Sequence, residues 1–152
     1  MKKIKIAILG LGVVGSHVIK LIEKNRYILD NAKCEIVAIS AKNKKKKRIF
    51  NVNKYKWINH FKALDQYNPD LIIETIGGTG KYINDLYKFC LKKKISLITA
   101  NKAQLAEKSN LYFHDFDKHD LFLGFEAAVL GAVPVIRTLE QSIHPSRINS
   151  IY

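Results

Sequence analysis

The sequence predicts an α/β fold, a doubly wound and mostly parallel sheet with helices on both faces. Two features of the sequence lead to this prediction. Short continuous apolar runs, which are typical of strands buried on both faces, alternate with segments whose apolar residues recur at helical spacing. The first apolar run also leads directly into closely spaced glycines, as in strand–turn–helix units. The length of 152 residues is enough for one domain with a buried core.

The predicted strands are short apolar runs that end in glycine, polar residues or turn residues. They are Lys5–Leu9, Glu35–Ser40, Leu71–Gly78, Ile95–Thr99 and Leu121–Ala127. Turn and loop signals separate several of these runs. Asn68-Pro69-Asp70 predicts a turn before the third strand, and the charge run Ala41–Arg48 predicts a loop after the second.

Helices are predicted between the strands from apolar residues that recur three or four positions apart. The recurring residues are Val14, Val18, Leu21 and Ile22 in the first helix, Ile83, Leu86, Tyr87, Cys90 and Leu91 in the second, and Val135, Ile136, Leu139 and Ile143 in the last, which starts near Pro134. A short helix is predicted over Asn59–Tyr67. A longer helix is predicted over Lys102–Lys118, with Asn101 as its N-cap.

Composition narrows the class of protein. A hydrophobic content of 47% is that of a globular chain, and no apolar run approaches the ~20 residues that span a bilayer. The basic start leads into an apolar run that Lys5 interrupts, which favours a first strand over a signal peptide. Cys34 and Cys90 lack the spacing of a zinc site and are expected to be core thiols of a cytoplasmic protein.

The formal net charge of +13 raises the question of a phosphate-bearing partner. The lysines are spread along the whole chain and are not interleaved with aromatic residues on one face. This pattern favours a lysine-coated surface over a nucleic-acid-binding one. The five histidines are scattered without the spacing of metal ligands, and we expect them to be structural or solvated.

Gly10, Gly12 and Gly15 form a Gly-x-Gly-x-x-Gly pattern between the first strand and the first helix. The first glycine permits a tight turn, the second leaves room for a pyrophosphate, and the third lets the helix pack on the strand. The start of the helix, with Val13 and Val14, offers unpaired N–H groups to phosphates. The pattern predicts a Rossmann-type dinucleotide site, and the alternative is a glycine-rich turn that binds nothing.

The residues after the second strand favour NADP over NAD. An NAD site has an acidic residue at this strand end, where it holds the ribose 2′-hydroxyl. No Asp or Glu occurs from Ile36 to Leu64, and Lys42, Lys44–Lys47 and Arg48 occupy the region instead. A 2′-phosphate would be attracted there, with Lys42 as the candidate contact. NAD stays possible, because the lysine run is equally consistent with a solvated loop and lysine discriminates less sharply than arginine.

Ligands of an open parallel sheet bind outside the carboxyl ends of its strands, where other candidate residues lie. Ile76, Gly77 and Gly78 follow the third predicted strand and are expected to pass close to the coenzyme. Lys102 is the candidate catalytic residue, because a cation beside the nicotinamide can hold a substrate oxygen as hydride reaches its carbon. The alternative is an ordinary surface lysine. Glu126 lies among apolar residues, so it needs a cation or hydrogen-bond donors, unless it caps the next helix.

The segments GLGVVG, ETIGG, TANKAQLAE and FEAAVLGAVPVIRTLEQSI together resemble homoserine dehydrogenase. The family pattern is similar to a GxGxVG start, an E-x-IGG strand end, a TANKA-LA segment and EAAV-GGIPIIR-L. The resemblance covers nearly the whole chain, in the right order. It implies reduction of aspartate 4-semialdehyde to homoserine with NAD(P)H, a step towards threonine and methionine.

The resemblance also implies roles for individual residues. The lysine of the TANK motif lies near the nicotinamide and the substrate in the family, and it corresponds to Lys102 here. The residues around EAAVxGxxP hold a monovalent cation there, expected to be sodium, largely through main-chain oxygens. The corresponding positions are Glu126, Val129, Gly131 and Val133. Oxygen ligands suit a hard cation, which would also explain why Glu126 tolerates apolar surroundings.

The sequence departs from the family pattern in two ways. Gly131-Ala132-Val133-Pro134 lacks the usual second glycine before the proline, a change that main-chain ligands tolerate. The chain also stops at Tyr152, before a catalytic domain that starts with a segment resembling GILNGTTNYIL and supplies substrate-binding carboxylates, a proton-donating lysine and most of the dimer interface. We therefore expect an NAD(P)-binding Rossmann domain over residues 1–139 and the start of a truncated substrate domain over residues 140–152.

The sequence leaves two functions open. The first is the NAD(P)-binding part of homoserine dehydrogenase, an NADP-dependent oxidoreductase that would have little activity as this chain alone. The second is a non-catalytic dinucleotide-binding module or remnant that needs a separate catalytic chain. A small-molecule substrate is expected in the first case, and a homo-oligomer is possible. Neither nucleic acid nor a membrane is an expected partner.

Overall fold

The computed structural model describes residues 2–24, 32–131, 133 and 135–142. Its strands are β1 (Lys2–Leu9), β2 (Ala32–Ser40), β3 (Leu71–Glu74), β4 (Ser96–Thr99) and β5 (Leu123–Gly124). Its α-helices are α1 (Val13–Lys24), α2 (Lys81–Lys93), α3 (Lys102–Lys118), α4 (Glu126–Val129) and α5 (Val135–Ser142). Two 3₁₀ helices, Val52–Lys54 and Phe61–Gln66, lie between β2 and β3.

The strands form one sheet in the order β2-β1-β3-β4-β5, and every neighbouring pair is parallel. From β1 the chain crosses to one side to form β2, and it then returns past β1 to form β3. The strand order therefore reverses between β1 and β3, where Leu9 is paired with Glu74. The connections that leave the carboxyl ends of these two strands lead to helices on opposite faces of the sheet, α1 on one and α2 on the other. In open parallel sheets, ligands bind at such a reversal of strand order.

Helices cover both faces of the sheet. Ile6 and Ile8 of β1 belong to one buried cluster together with Ile19 of α1. The alternate residues Ala7 and Leu9 belong to a second cluster. The members of this cluster from α2 and α3 are Ile83, Leu86, Tyr87, Cys90, Tyr112 and Phe116. Because successive side chains of a strand point to opposite faces, β1 is buried on both, as its continuous apolar sequence predicts.

The predicted doubly wound fold is confirmed, with differences at the ends of elements. β1 and β2 begin earlier than predicted, at Lys2 and Ala32. β3 ends at Glu74 and does not extend to Gly78, because the N–H groups that follow turn back to bond the Glu74 carboxylate. The predicted short helix over 59–67 is a 3₁₀ helix over Phe61–Gln66.

The fifth strand is the largest correction. The prediction of a strand over Leu121–Ala127 is wrong at both ends, because only Leu123–Gly124 pair with β4. Glu126 does not close a strand but starts α4. Phe125 has left the extended region, with φ −140° and ψ 9°, and its ring packs on Phe113 of α3 with centroids 4.6 Å apart. Phe125 is therefore partly covered by contact with a helix and not by further strand pairing.

Several smaller predictions have mixed outcomes. Cys90 is buried, and burial raises the pKa of its thiol to about 12, whereas Cys34 is only partly buried. Residue 139, at which the sequence analysis divides the chain, lies within α5, and the division into two domains stays a prediction. Pro134 and Ile143 lie outside the described residues. In the described part of the chain, no helix is both long enough and apolar enough to cross a membrane.

Candidate functional site

The turn between β1 and α1 contains backbone contacts that exclude a side chain. Gly10 has φ +96°, and its N–H donates to the carbonyl oxygen of Ser40 at the end of β2, at 2.8 Å. A Cβ built on Gly10 would lie 2.5 Å from the carbonyl carbon of Thr75. Two constraints therefore require glycine at position 10: the backbone has a positive φ, and the loop after β3 leaves no room for a side chain.

Gly15 packs against the same turn from the side of α1. A Cβ on Gly15 would lie 1.9 Å from the carbonyl oxygen of Gly10 and 2.7 Å from Oγ1 of Thr75. The Thr75 hydroxyl donates to that same Gly10 oxygen at 2.6 Å, and the Thr75 N–H donates to the carbonyl of Leu9 at 2.8 Å. Gly10 and Gly15 thus occupy the turn and packing positions that the sequence predicted for them.

Gly12 differs from both, because nothing lies within 4 Å of a Cβ built on it. Val13 and Val14, at the start of α1, are 78% and 53% exposed. The first N–H groups of a helix have no partners within the helix, and the helix dipole adds a partial positive charge there. The open space at Gly12 beside these N–H groups, called the cradle below, therefore suits an anionic group such as a phosphate.

The loop after β3 adjoins the glycine turn and is fixed by a buried carboxylate. Glu74 is fully buried, and its Oε1 accepts hydrogen bonds from the N–H groups of Ile76 at 2.6 Å and Gly77 at 3.3 Å. Its Oε2 accepts a hydrogen bond from the Thr99 hydroxyl at 2.6 Å. Three donors thus offset the cost of burying this charge. Gly77 and Gly78 are exposed, with open space where a side chain would stand.

Lys102 occupies the first position of α3, and its side chain is exposed. The preceding residue, Asn101, is the N-cap as predicted, since its side-chain oxygen accepts an N–H of the first turn at 3.1 Å. The amide of Asn101 also donates to the carbonyl of Gly78 at 2.7 Å, and its N–H donates to Thr99 Oγ1 at 2.9 Å. These bonds place Lys102 beside the loop that contains Ile76, Gly77 and Gly78.

The segment Ala41–Arg48, called the lysine loop below, lies next to the glycine turn. Its lysines, Lys42 and Lys44–Lys47, are all exposed. Arg48 is partly buried, and its Nε–H donates to the carbonyl oxygen of Leu11, within the glycine turn, at 3.3 Å. The structure therefore brings the predicted 2′-phosphate contact and the predicted diphosphate cradle to the same end of the sheet.

The segment after the lysine loop is tied to α1. Tyr55 donates its hydroxyl hydrogen to Glu23 at 2.7 Å, and Nζ of Lys54 lies 3.7 Å from the same carboxylate. The pKa of Glu23 lies below its ordinary value. The main cause is the hydrogen bond from Tyr55, and the positive charges of Lys20 and Lys54 lower the pKa further. Burial is the largest cause that raises the pKa of Tyr55 above its ordinary value, and Glu23 raises it further.

The sequence analysis assigned no individual role to Glu74 or Thr75, and it treated Arg48 only as one of the charges after the second strand. Glu74 carried a usable signal, because an acidic residue at the end of a buried apolar run needs hydrogen-bond donors. Thr75 and Arg48 act on main-chain carbonyls that are distant in the sequence, Gly10 and Leu11 respectively. No local pattern shows which carbonyl groups the fold brings next to a side chain.

Glu126 has two carboxylate oxygens in different environments. Oε1 accepts a hydrogen bond from the main-chain N–H of Arg137, in the first turn of α5, at 2.8 Å. The capping role considered for Glu126 in the sequence is therefore present in the structure. Oε2 is buried and has no hydrogen-bond partner among the described residues. An unpartnered buried carboxylate oxygen is costly, so this atom fits a cation.

The other predicted cation ligands lie in the stretch from α4 towards α5. Val129 ends α4, Gly131 turns the chain with φ +64°, and Val133 is 57% exposed. Among the described residues, no group of three or more His, Cys, Asp and Glu side chains could hold a metal ion. A cation bound to Glu126 would therefore depend on main-chain oxygens, which suits an ion of low charge.

A parallel sheet whose strand order reverses beside a glycine-rich turn, with an open cradle at the following helix, defines a dinucleotide-binding domain. The sequence model of the family described as homoserine dehydrogenase, NAD binding domain, matches residues 10–118. The chain belongs to this family. The match confirms the resemblance found in the sequence.

Individual homoserine dehydrogenases agree with the family match. That of Bacillus subtilis is 30% identical over 158 residues, which covers 99% of this chain and 36% of the relative. That of Neisseria gonorrhoeae is 30% identical over 154 residues, covering 99% and 35%. A crystal structure of S. aureus homoserine dehydrogenase superposes with a TM-score of 0.77 at 37% identity, covering 85% of this chain and 33% of that one. The chain thus spans about a third of the length of these relatives.

Replacing Gly15 with alanine is expected to destabilise the protein, because the new methyl group would overlap the carbonyl oxygen of Gly10. The expected loss in the free energy of unfolding is about 2–3 kcal/mol, as for other overpacked sites. Gly12→Ala is the matched control, since the same methyl group enters open space, and it should change stability by less than about 0.5 kcal/mol. Chemical denaturation measures both, and equal stabilities of the two variants would contradict the described packing.

Proposed function

We propose that the chain binds NADPH in preference to NADH and forms the coenzyme-binding part, residues 1–139, of a homoserine dehydrogenase. The observation that carries this proposal is the open cradle at Gly12, which lies next to a loop of exposed lysines. The cradle suits the diphosphate common to both coenzymes. The lysines suit the 2′-phosphate that only NADPH carries.

In this proposal the diphosphate lies over Gly12 and accepts hydrogen bonds from the first N–H groups of α1. The coenzyme contacts are Gly10, Gly12, Val13, Val14, Gly15, Lys42, Ile76, Gly77, Gly78 and Lys102. The 2′-phosphate lies at Lys42, where the chain leaves β2 and where a carboxylate would be expected in an NAD site. Charge attraction supports this placement, because Lys42 and its lysine neighbours are exposed.

The proposed reaction is the reduction of aspartate 4-semialdehyde to homoserine, in the cytoplasm, on the way to threonine and methionine. Membership of the family and the names of the relatives support it. The coenzyme, when bound, supplies the hydride. Lys102 holds the substrate carbonyl oxygen and stabilises the negative charge that develops on it. Turnover needs the part of the enzyme that the relatives have in addition, either on the same polypeptide or on a separate chain.

We also propose a sodium ion at Glu126, with main-chain oxygens of Val129, Gly131 and Val133 as further ligands. The buried and unpartnered Oε2 of Glu126 supports this site. A bound cation would offset the charge of this oxygen while Oε1 continues to cap α5. The ion would therefore connect the end of α4 to the start of α5.

Titration with NADPH and NADH, followed by the fluorescence of the reduced coenzyme, tests the coenzyme assignment. NADPH is expected to bind about tenfold more tightly, the effect of one added hydrogen bond to a charged group. Lys42→Met should weaken NADPH binding and leave NADH binding unchanged. Lys88→Met, which removes a lysine from the exposed side of α2, is the control for net charge. Equal affinities in the unmodified chain would contradict the NADPH assignment, and binding of neither coenzyme would contradict the proposed function.

The role of Lys102 is tested in the chain joined to the remaining part of the Bacillus subtilis homoserine dehydrogenase, with the unjoined chain measured alongside. Reduction of aspartate 4-semialdehyde is followed by the loss of NADPH absorbance. Lys102→Met is expected to lower kcat by roughly 100-fold, as when one group that stabilises an oxyanion is removed. Lys81→Met, at the exposed first position of α2, is the matched control. An unchanged kcat in the Lys102 variant would show that this lysine is an ordinary surface residue.

The cation site is tested by thermal unfolding in sodium chloride and in choline chloride of equal ionic strength. Sodium at about five times its dissociation constant should add about 1 kcal/mol to the free energy of unfolding. Glu126→Gln should abolish this increment, because glutamine keeps an oxygen for the Arg137 N–H but removes the charge. Glu107→Gln, at an exposed position of α3, is the control. The same sodium effect in both variants would place the ion elsewhere.

A further inference from the structure

Arg48 holds the lysine loop around its own guanidinium group. Nη2 donates to the carbonyl oxygen of Asn43 at 2.6 Å, and Nη1 donates to those of Lys44 at 3.2 Å and Lys46 at 2.8 Å. Nε donates to the carbonyl of Leu11 at 3.3 Å. One side chain therefore connects three carbonyl groups of the loop to the glycine turn.

These contacts occupy most of the hydrogen-bonding capacity of Arg48. A guanidinium group has five N–H donors in one plane, and the contacts with carbonyl oxygens use four of them. Arginine commonly binds a phosphate through two parallel N–H bonds, which Arg48 cannot offer while these contacts persist. The cations that remain for a phosphate are the exposed lysines of the loop.

Trp57 fixes the guanidinium from another side. The centre of the Arg48 guanidinium lies 5.5 Å from the centroid of the Trp57 ring, and Nζ of Lys44 lies 5.9 Å from it. The Trp57 ring nitrogen donates to the side chain of Asn59 at 3.0 Å, and its backbone forms a bridge with Ile39 of β2. The Trp57 ring that contacts Arg48 is thus attached to the sheet.

We infer that Arg48 is the positioning residue for coenzyme specificity. Its four hydrogen bonds to carbonyl oxygens, called the clamp below, hold the lysine loop next to the glycine turn. The inference rests on the proposed function, since it concerns the 2′-phosphate of NADPH. Without the clamp, a run of like charges repels itself and extends into solvent. The lysines would then keep their charge but lose their place beside the ribose.

Arg48→Lys separates the clamp from the charge. Lysine keeps the positive charge but has a single nitrogen, which cannot reach four carbonyl oxygens at once. Arg48→Met removes the charge as well. Both variants are expected to weaken NADPH binding about tenfold and to leave NADH binding unchanged, so that the preference between them is lost. Lys88→Met, on the exposed side of α2, should keep the preference of the unmodified chain.

The fluorescence of Trp57 reports whether Arg48 still covers its ring, because Trp57 is the only tryptophan in the sequence. Quenching of its fluorescence by acrylamide, a neutral quencher, should increase in both Arg48 variants and stay unchanged in Lys88→Met. If Arg48→Lys keeps the preference for NADPH, Arg48 acts through its charge, and the inference is wrong while the proposed function stands. If both affinities fall together, Arg48 only supports the fold. If the unmodified chain binds neither coenzyme, the proposed function fails and the inference fails with it.

Discussion

The carbonyl group of Gly10 is the point on which the arrangement of the site depends. Gly15 of α1 packs directly against its oxygen, and the hydroxyl of Thr75 donates to it at 2.6 Å. The first strand, the first helix and the loop after β3 therefore meet at one atom. The open space at Gly12 and the neighbouring N–H groups of α1 take their positions from this contact, which is why the pattern of glycines matters more than their number.

Charged side chains at this end of the sheet divide into two kinds. Glu74 and Arg48 bond main-chain groups, Glu74 the N–H groups after β3 and Arg48 the carbonyl groups of the lysine loop. Lys42 and Lys102 are exposed. The first kind gives each loop its shape, since a charged group bonded to several main-chain atoms is strongly held. The second kind keeps its donors available to a ligand.

The sequence predicted the fold well because burial on both faces produces continuous apolar runs. These runs located β1 to β4, although not all of their ends. The prediction failed at β5, where the apolar residue Phe125 packs on Phe113 of a helix and not in the sheet. The glycine turn was predictable because two of its constraints are local in the sequence: Gly10 has a positive φ, and Gly15 packs on the carbonyl group of Gly10. The bonds of Thr75 and Arg48 to distant carbonyl groups were not predictable, because they depend on the tertiary arrangement of elements that no local pattern specifies.

The central place of β1 has a consequence for how the protein forms. Ile8 of β1 pairs with Ile39 on one side and with Ile73, much further along the chain, on the other. During synthesis the first strand can join β2 early, but its second edge stays open until β3 has emerged from the ribosome. Pairings between such distant segments form slowly, because the entropy cost of closing a long loop precedes any stabilising contact between the strands. The contact between Gly10 and Thr75 is therefore absent from any early folding unit, and the glycine turn takes its final shape only after β3 has joined the sheet.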